Sequence, residues 1–309
     1  MRKVKVLLSL ILVVVMLISG TAFGVVKEGI NHTALGDSIA YGTGSTELFG
    51  YTDMLNEHFT RIYGEGTFNK DAYDGVKSGD LMDLLTGEEN DYEYLLPDLQ
   101  KHVMNSDIIT VSIGGNDLLT PFRELLLQFL SNNYLDESFQ IDYEVFMEDF
   151  MKWQDGVLQL ENMELAGKFH NLFFNEMLSS LQAGALEFST NFPIIMNTIR
   201  TLNPDAKIYV NTIYNPFVSD EMLHDFAIPF VEGMNSVITN ENLIYAGKYE
   251  VVDVYTKFEK YNNPKKLEVG DLRNFFEYIM SVEYTTPVPL HPTDKGYKFI
   301  FNLHKDLLE

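Results

Sequence analysis

The stretch Ala34-Leu-Gly-Asp-Ser-Ile-Ala-Tyr-Gly-Thr-Gly-Ser45 decides how this chain is read. Thr33 to Leu35 make a short strand-like run that stops at Gly36-Asp37-Ser38. A turn at Gly42-Thr43-Gly44 follows, and helical spacing begins near Tyr51. A strand that ends at a serine presents the hydroxyl at the carboxyl end of a sheet strand, where ligands collect in open α/β sheets. Whether that serine does chemistry depends on what the rest of the chain brings to it.

Working outward, Tyr51 to Tyr63 carries apolar residues at Tyr51, Met54, Leu55, Phe59 and Ile62, the spacing of an amphipathic helix. Gly64-Glu65-Gly66 stops it, and Thr67 to Tyr73 is a strand candidate. Ser78 is placed to cap a helix whose apolar face is Leu81, Met82, Leu84 and Leu85. Tyr94 to Met104 reads as a further helix. Asp107 to Ile113 is a β-branched run with apolar residues on both faces, as in a strand covered on both sides, and it ends at Gly114-Gly115-Asn116-Asp117.

From Leu118 to about Leu202 the pattern is helical almost throughout. Phe146, Phe150, Trp153 and Val157 share one face; Leu165, Phe169, Leu172, Phe173, Met177 and Leu181 share another. Such a Phe- and Met-rich stretch is either core between helices or an acyl-binding wall or lid. Strands are expected over Lys207 to Ile213 and Tyr249 to Tyr255, with helices over Asp220 to about Leu243 and Asp271 to Val282, and an amphipathic helix closing the chain through Leu308. Strands alternating with helices imply a parallel sheet with helices on both faces.

Arg2, Lys3 and Lys5, the apolar run Val6 to Ile18 and the small residues up to Gly24 have the layout of a secretory signal peptide, so residues 1–24 are expected to be removed and 25–309 to form one domain. The expected address is secreted and extracellular, with no stable membrane anchor after cleavage. There is no cysteine, which excludes disulfides, thiolate metal sites and a cysteine nucleophile. Loss of the three basic leader residues takes the net charge from −23 to −26, which argues against nucleic-acid and anionic-lipid partners. The histidines other than His291 show no ligand spacing, so no metal or other cofactor is expected. Asp37 and Asp117 read as carboxylates that order their own loops.

Three loops carry Ser38, Gly79 and Asn116, and a fourth, near the C-terminus, carries His291. A serine becomes a nucleophile when a base takes its proton, and imidazole is suited to that task near neutral pH. The backbone N–H groups of Ser38 and Gly79 and the Asn116 amide are candidate donors to a developing oxyanion.

Gly36-Asp37-Ser38-Ile39, Gly79, Gly114-Gly115-Asn116-Asp117 and His291-Pro292, in this order, resemble the SGNH hydrolases, also called GDSL esterases and lipases. Asn203-Pro-Asp-Ala-Lys-Ile-Tyr209 and Asp253 in Val-Val-Asp-Val-Tyr255 look familial too. The resemblance covers residues 30 to 309, least clearly in 118 to 190. It implies a three-layer αβα sandwich with a flavodoxin-like parallel sheet, here with a long helical insert. It also implies hydrolysis of an ester-linked acyl group, lipid or glycan, by attack of Ser38 with His291 moving the proton and Ser38, Gly79 and Asn116 holding the oxyanion.

The chain departs from this pattern where the family carries an acid three residues before the histidine: here Val288 stands in Pro287-Val-Pro-Leu-His291. Three readings are open. A backbone carbonyl near Val288 orients His291; Asp294 or Glu283 substitutes; or the enzyme is weakened or lost. The functions open to the chain are a secreted serine esterase or lipase, an acyltransferase or carbohydrate deacetylase that uses the same residues on the same scaffold, and a non-catalytic envelope- or glycan-binding module, which Val288 would allow. Asp294 reads more naturally as a cap of the final helix.

Overall fold

The computed structural model describes residues 29–135, 141–217, 222–244, 248–261 and 290–308. The expected signal segment, the helix expected over Asp271 to Val282, Glu283 and Val288 lie outside the described residues.

In chain order the elements are β1 (His32–Gly36), α1 (Ser38–Tyr41), α2 (Tyr51–Tyr63), β2 (Phe68–Ala72), α3 (Ser78–Thr86), α4 (Leu99–Met104) and β3 (Ile108–Ser112). There follow α5 (Gly115–Asn133), α6 (Tyr143–Gln154), α7 (Leu158–Glu161), α8 (Met163–Asn171), a π-helical turn (Leu172–Met177) and α9 (Leu178–Leu202). The last are β4 (Lys207–Asn211), α10 (Met222–Ile244), β5 (Glu250–Val252), α11 (Val254–Tyr261) and α12 (Asp294–Leu308). The strands are all parallel in the order β2-β1-β3-β4-β5. This is the flavodoxin-like order, whose topological switch point lies between β1 and β3.

Alternation along each strand separates two faces. Leu35, Ile109, Val111, Ile208 and Val210 pack with α3, α4, α9 and α10 in one buried cluster. Ile108, Tyr209 and Val252 pack on the other side with Tyr51, Leu55 and Phe59 of α2 and Tyr297, Ile300 and Phe301 of α12. Each buried Ile, Val or Phe contributes about 1.5–3 kcal/mol, which explains why the run 108–112, buried at every position, sits at the centre of the sheet. A third cluster joins α5, α6, α8 and the π-helical turn to the starts of α9 and α10. It is the core of the helical insert.

Strands β2, β3 and β4 lose one or two residues at the ends of their expected ranges, and two other elements fall further short. The helix expected from Tyr94 begins only at Leu99, because Pro97 disfavours helical backbone in the residue before it and Asp98 turns left-handed (φ +64°). The strand expected over Tyr249 to Tyr255 ends at Val252. Asp253 Oδ1 accepts from Thr256 N at 3.0 Å, so this aspartate starts α11 instead of continuing the ladder. In the insert, Phe146, Phe150, Trp153, Phe169, Phe173 and Met177 are core, while Val157 is exposed.

Candidate active site

Gly36 ends β1 in a conformation only glycine adopts readily (φ +133°), and a Cβ there would lie 1.8 Å from the Ser112 carbonyl oxygen. The chain therefore turns sharply at the switch point. Asp37 N donates to Ser112 O at 3.0 Å, and Asp37 Oδ1 accepts from Ile39 N at 3.0 Å, capping the single turn α1. Asp37 is thus the loop-ordering carboxylate expected. Burial pushes its carboxyl up to about 7; the Ile39 N–H opposes this and the Asp117 charge adds to it.

Ser38, first in α1, is buried beside His291, and His291 Nε2 lies 2.9 Å from Ser38 Oγ. With the proton on Nδ1, Nε2 accepts the serine O–H, the arrangement a general base requires. The segment carrying His291 is fixed at several points. Tyr214 Oη donates to the Leu290 carbonyl at 2.5 Å. Leu290 itself is left-handed, at φ +67°, a state that costs a residue with a Cβ about 1–2 kcal/mol. Gly44 (φ +94°) passes so close that a Cβ would fall 2.9 Å from both His291 Cβ and Pro292 O. Tyr297 Oη donates to Thr43 O at 2.7 Å, tying α12 to the same turn.

Asp294, a candidate substitute acid, points elsewhere. Its Oδ1 accepts from Thr46 N at 2.6 Å and its Oδ2 from Thr46 Oγ1 at 2.8 Å. It therefore pins the loop after the serine turn rather than capping α12, whose first residue it is.

Asn116 is the second residue of α5, and its Nδ2 donates to Val76 O at 3.0 Å, which leaves one amide hydrogen for a ligand. Gly79 is the second residue of α3. Neither its N–H nor that of Ser38 has an acceptor among the described residues, as expected for the first turn of a helix. Ser38, Asn116 and His291 line one cavity; Gly79 is not among its lining residues, and its Cα faces Glu187 and Asn191 of α9.

Asp117 departs from the expectation that it orders its own turn. It accepts from Ser78 N at 3.0 Å and from Ser78 Oγ, and Asn191 Nδ2 donates to the same hydroxyl at 3.1 Å. The carboxylate thus ties the start of α3, with Gly79, to the loop of Asn116. Burial raises its pKa to about 6 against the pull of the two Ser78 donors.

The cavity, about 110 Å³, is apolar away from the serine. Leu119 and Phe122 of α5, Leu181 of α9, Ile213 after β4, and Phe226 and Phe230 of α10 supply its wall. Leu181 is therefore a wall residue, whereas the aromatic faces of α6 and α8 are core behind it. Among the described residues no group of His, Asp or Glu is placed to hold a metal. His32 and His304 are buried, which drives each down to about 3; His170 is exposed. Tyr214 and the Ser78–Asp117 tie had no signal in the sequence, since both join segments distant along the chain.

A family model for the GDSL-like Lipase/Acylhydrolase family matches residues 34–299. An uncharacterized protein of Bacillus subtilis, YpmR, is 22% identical over 276 residues, covering 89% of this chain and 79% of that protein. Among solved structures, the lipase Lip_vut3 from a goat rumen metagenome aligns with a TM-score of 0.53 at 18% identity, over 90% of this chain and 96% of that one. Phospholipase A1 from Streptomyces albidoflavus NA297 aligns with a TM-score of 0.51 at 14% identity, over 89% and 98%. These two likenesses are of fold.

Proposed function

We propose that this chain, which belongs to the GDSL-like Lipase/Acylhydrolase family, is a serine ester hydrolase that takes acyl groups longer than acetyl. Ser38 Oγ attacks the ester carbonyl as His291 Nε2 takes its proton. The Ser38 N–H and the free hydrogen of the Asn116 amide, both lining the cavity, meet the oxyanion, and the Gly79 N–H, tied to the Asn116 loop through Ser78 and Asp117, is the third donor. His291 then protonates the departing alkoxide, and water, activated by the same nitrogen, releases the acid and restores the serine.

The observation that carries this reading is the 2.9 Å contact between His291 Nε2 and Ser38 Oγ in the wall of an apolar cavity. An acyl chain in that cavity gains about 0.8 kcal/mol for each buried methylene. An acetyl group would leave most of the wall uncovered, so the cavity favours an acyl-chain substrate over an acetylated glycan. The leader-like residues 1–24 support secretion as part of the proposal, and N-terminal sequencing of protein from culture medium tests it: a chain starting at Met1 refutes cleavage.

A series of p-nitrophenyl esters from acetate to decanoate tests the activity. kcat/KM is expected to rise beyond acetate and to vanish with Ser38→Ala. Turnover retained by Ser38→Ala, or a maximum at acetate, contradicts the assignment.

A further inference from the structure

We propose that Tyr214 is a positioning residue for His291, acting through the peptide bond between Leu290 and His291. The inference rests on the reading of His291 as the base.

The carbonyl that Tyr214 Oη holds, at 2.5 Å, is half of that peptide group. Fixing its direction fixes ψ of Leu290 and φ of His291 together, and so the direction in which the His291 side chain leaves the backbone. The hold is needed because Leu290 is left-handed, at φ +67°, a conformation that a branched side chain leaves readily for extended or right-handed backbone. Without the tie, relaxation of Leu290 rotates the peptide plane and carries Nε2 away from Ser38 Oγ.

Tyr214 is built as a strut. The residue before it, Ile213, is bonded through both its backbone groups to one side chain: its N–H donates to Asn235 Oδ1 at 2.7 Å and its carbonyl accepts from Asn235 Nδ2 at 2.8 Å. The Tyr214 ring packs against Phe258 of α11 with centroids 4.9 Å apart, and the residue is buried. At His291 and Pro292, Gly44 leaves no room for a Cβ. The histidine and its two neighbours are thus held by segments that follow β1 and β4. A buried hydroxyl held this way also has a strong preference to keep its acceptor, since leaving it unpaired is unfavourable.

The test is Tyr214→Phe, alone and combined with Leu290→Gly, assayed with p-nitrophenyl acetate, whose acyl group is too short to depend on the cavity wall. Tyr214→Phe is expected to lower kcat about 10- to 100-fold, the scale on which misplacing a catalytic group acts, with KM within about twofold of wild type. Glycine adopts the left-handed conformation freely, so adding Leu290→Gly is expected to restore part of kcat. The His291 imidazole signals in NMR spectra should shift in Tyr214→Phe and move back in the double variant, whether or not the ester is turned over. Wild-type kcat and unmoved imidazole signals in Tyr214→Phe would overturn the inference, as would a loss that Leu290→Gly leaves unchanged or deepens. Failure of the underlying reading shows separately, as turnover that persists in Ser38→Ala.

Discussion

His291 Nε2 stands 2.9 Å from Ser38 Oγ although 253 residues separate the two along the chain. The sheet order makes this meeting possible: β1 delivers the serine at the switch point, and α12, packed on α2, returns the C-terminal segment to the same edge. Removing the ring leaves the serine without a base. His291→Ala is expected to reduce kcat by about 100- to 10,000-fold with little change in KM, measured by steady-state hydrolysis of p-nitrophenyl butyrate.

Gly44 fixes the turn against which the His291 segment packs. Its left-handed φ of +94° and the 2.9 Å approach of His291 Cβ and Pro292 O make any side chain there both strained and crowded. Gly44→Ala should destabilise the fold by about 1–3 kcal/mol and reduce kcat at least tenfold, because the atom displaced belongs to the base. Urea unfolding and kinetics on one preparation check both; an unchanged kcat would show that the turn does not govern the histidine.

Buried Asp37 gives a pH dependence whose sign can be stated. Its carboxyl, 3.8 in the unfolded chain, rises to about 7 in the folded one. Between those values the folded state binds more protons than the unfolded state, so stability falls as pH rises from about 4 to about 7. Asp37→Asn keeps an oxygen for the Ile39 N–H and removes the titration. Unfolding free energy from urea melts at pH 5 and pH 8 should therefore converge in Asp37→Asn relative to wild type; an equal difference in both proteins would refute this.

The apolar cavity predicts selectivity by chain length. Leu119→Trp adds an indole to the wall supplied by α5. It is expected to lower kcat/KM for p-nitrophenyl octanoate at least tenfold while acetate changes by less than threefold, since discrimination in an apolar pocket follows filled volume. Equal losses on both esters would place the acyl chain elsewhere.

Much of this was legible in the sequence because it is local. The β-branched run at 107–113, the helix at 51–63 and the loops of Ser38 and Asn116 each declare themselves within a few residues, and the switch-point order carries them to one edge. What stayed hidden is what joins distant segments. Asp117 reads as a turn residue until Ser78 is seen donating to it. Asp294 reads as a helix cap until Thr46 arrives at its carboxylate. Tyr214 carries no pattern at all, since a hydroxyl that meets a carbonyl 76 residues away leaves no periodicity. β5 is shorter than its Val- and Tyr-rich run implies, because Asp253 reads as a strand residue locally but starts a helix.

Covalent labelling tests the nucleophile most directly. Wild-type protein incubated with a fluorophosphonate and digested should carry one phosphonyl group, at Ser38, by tandem mass spectrometry. His291→Ala should label far more slowly and Ser38→Ala not at all. Modification at another residue, or equal labelling of Ser38→Ala, would contradict the assignment of Ser38 as the nucleophile and His291 as its base.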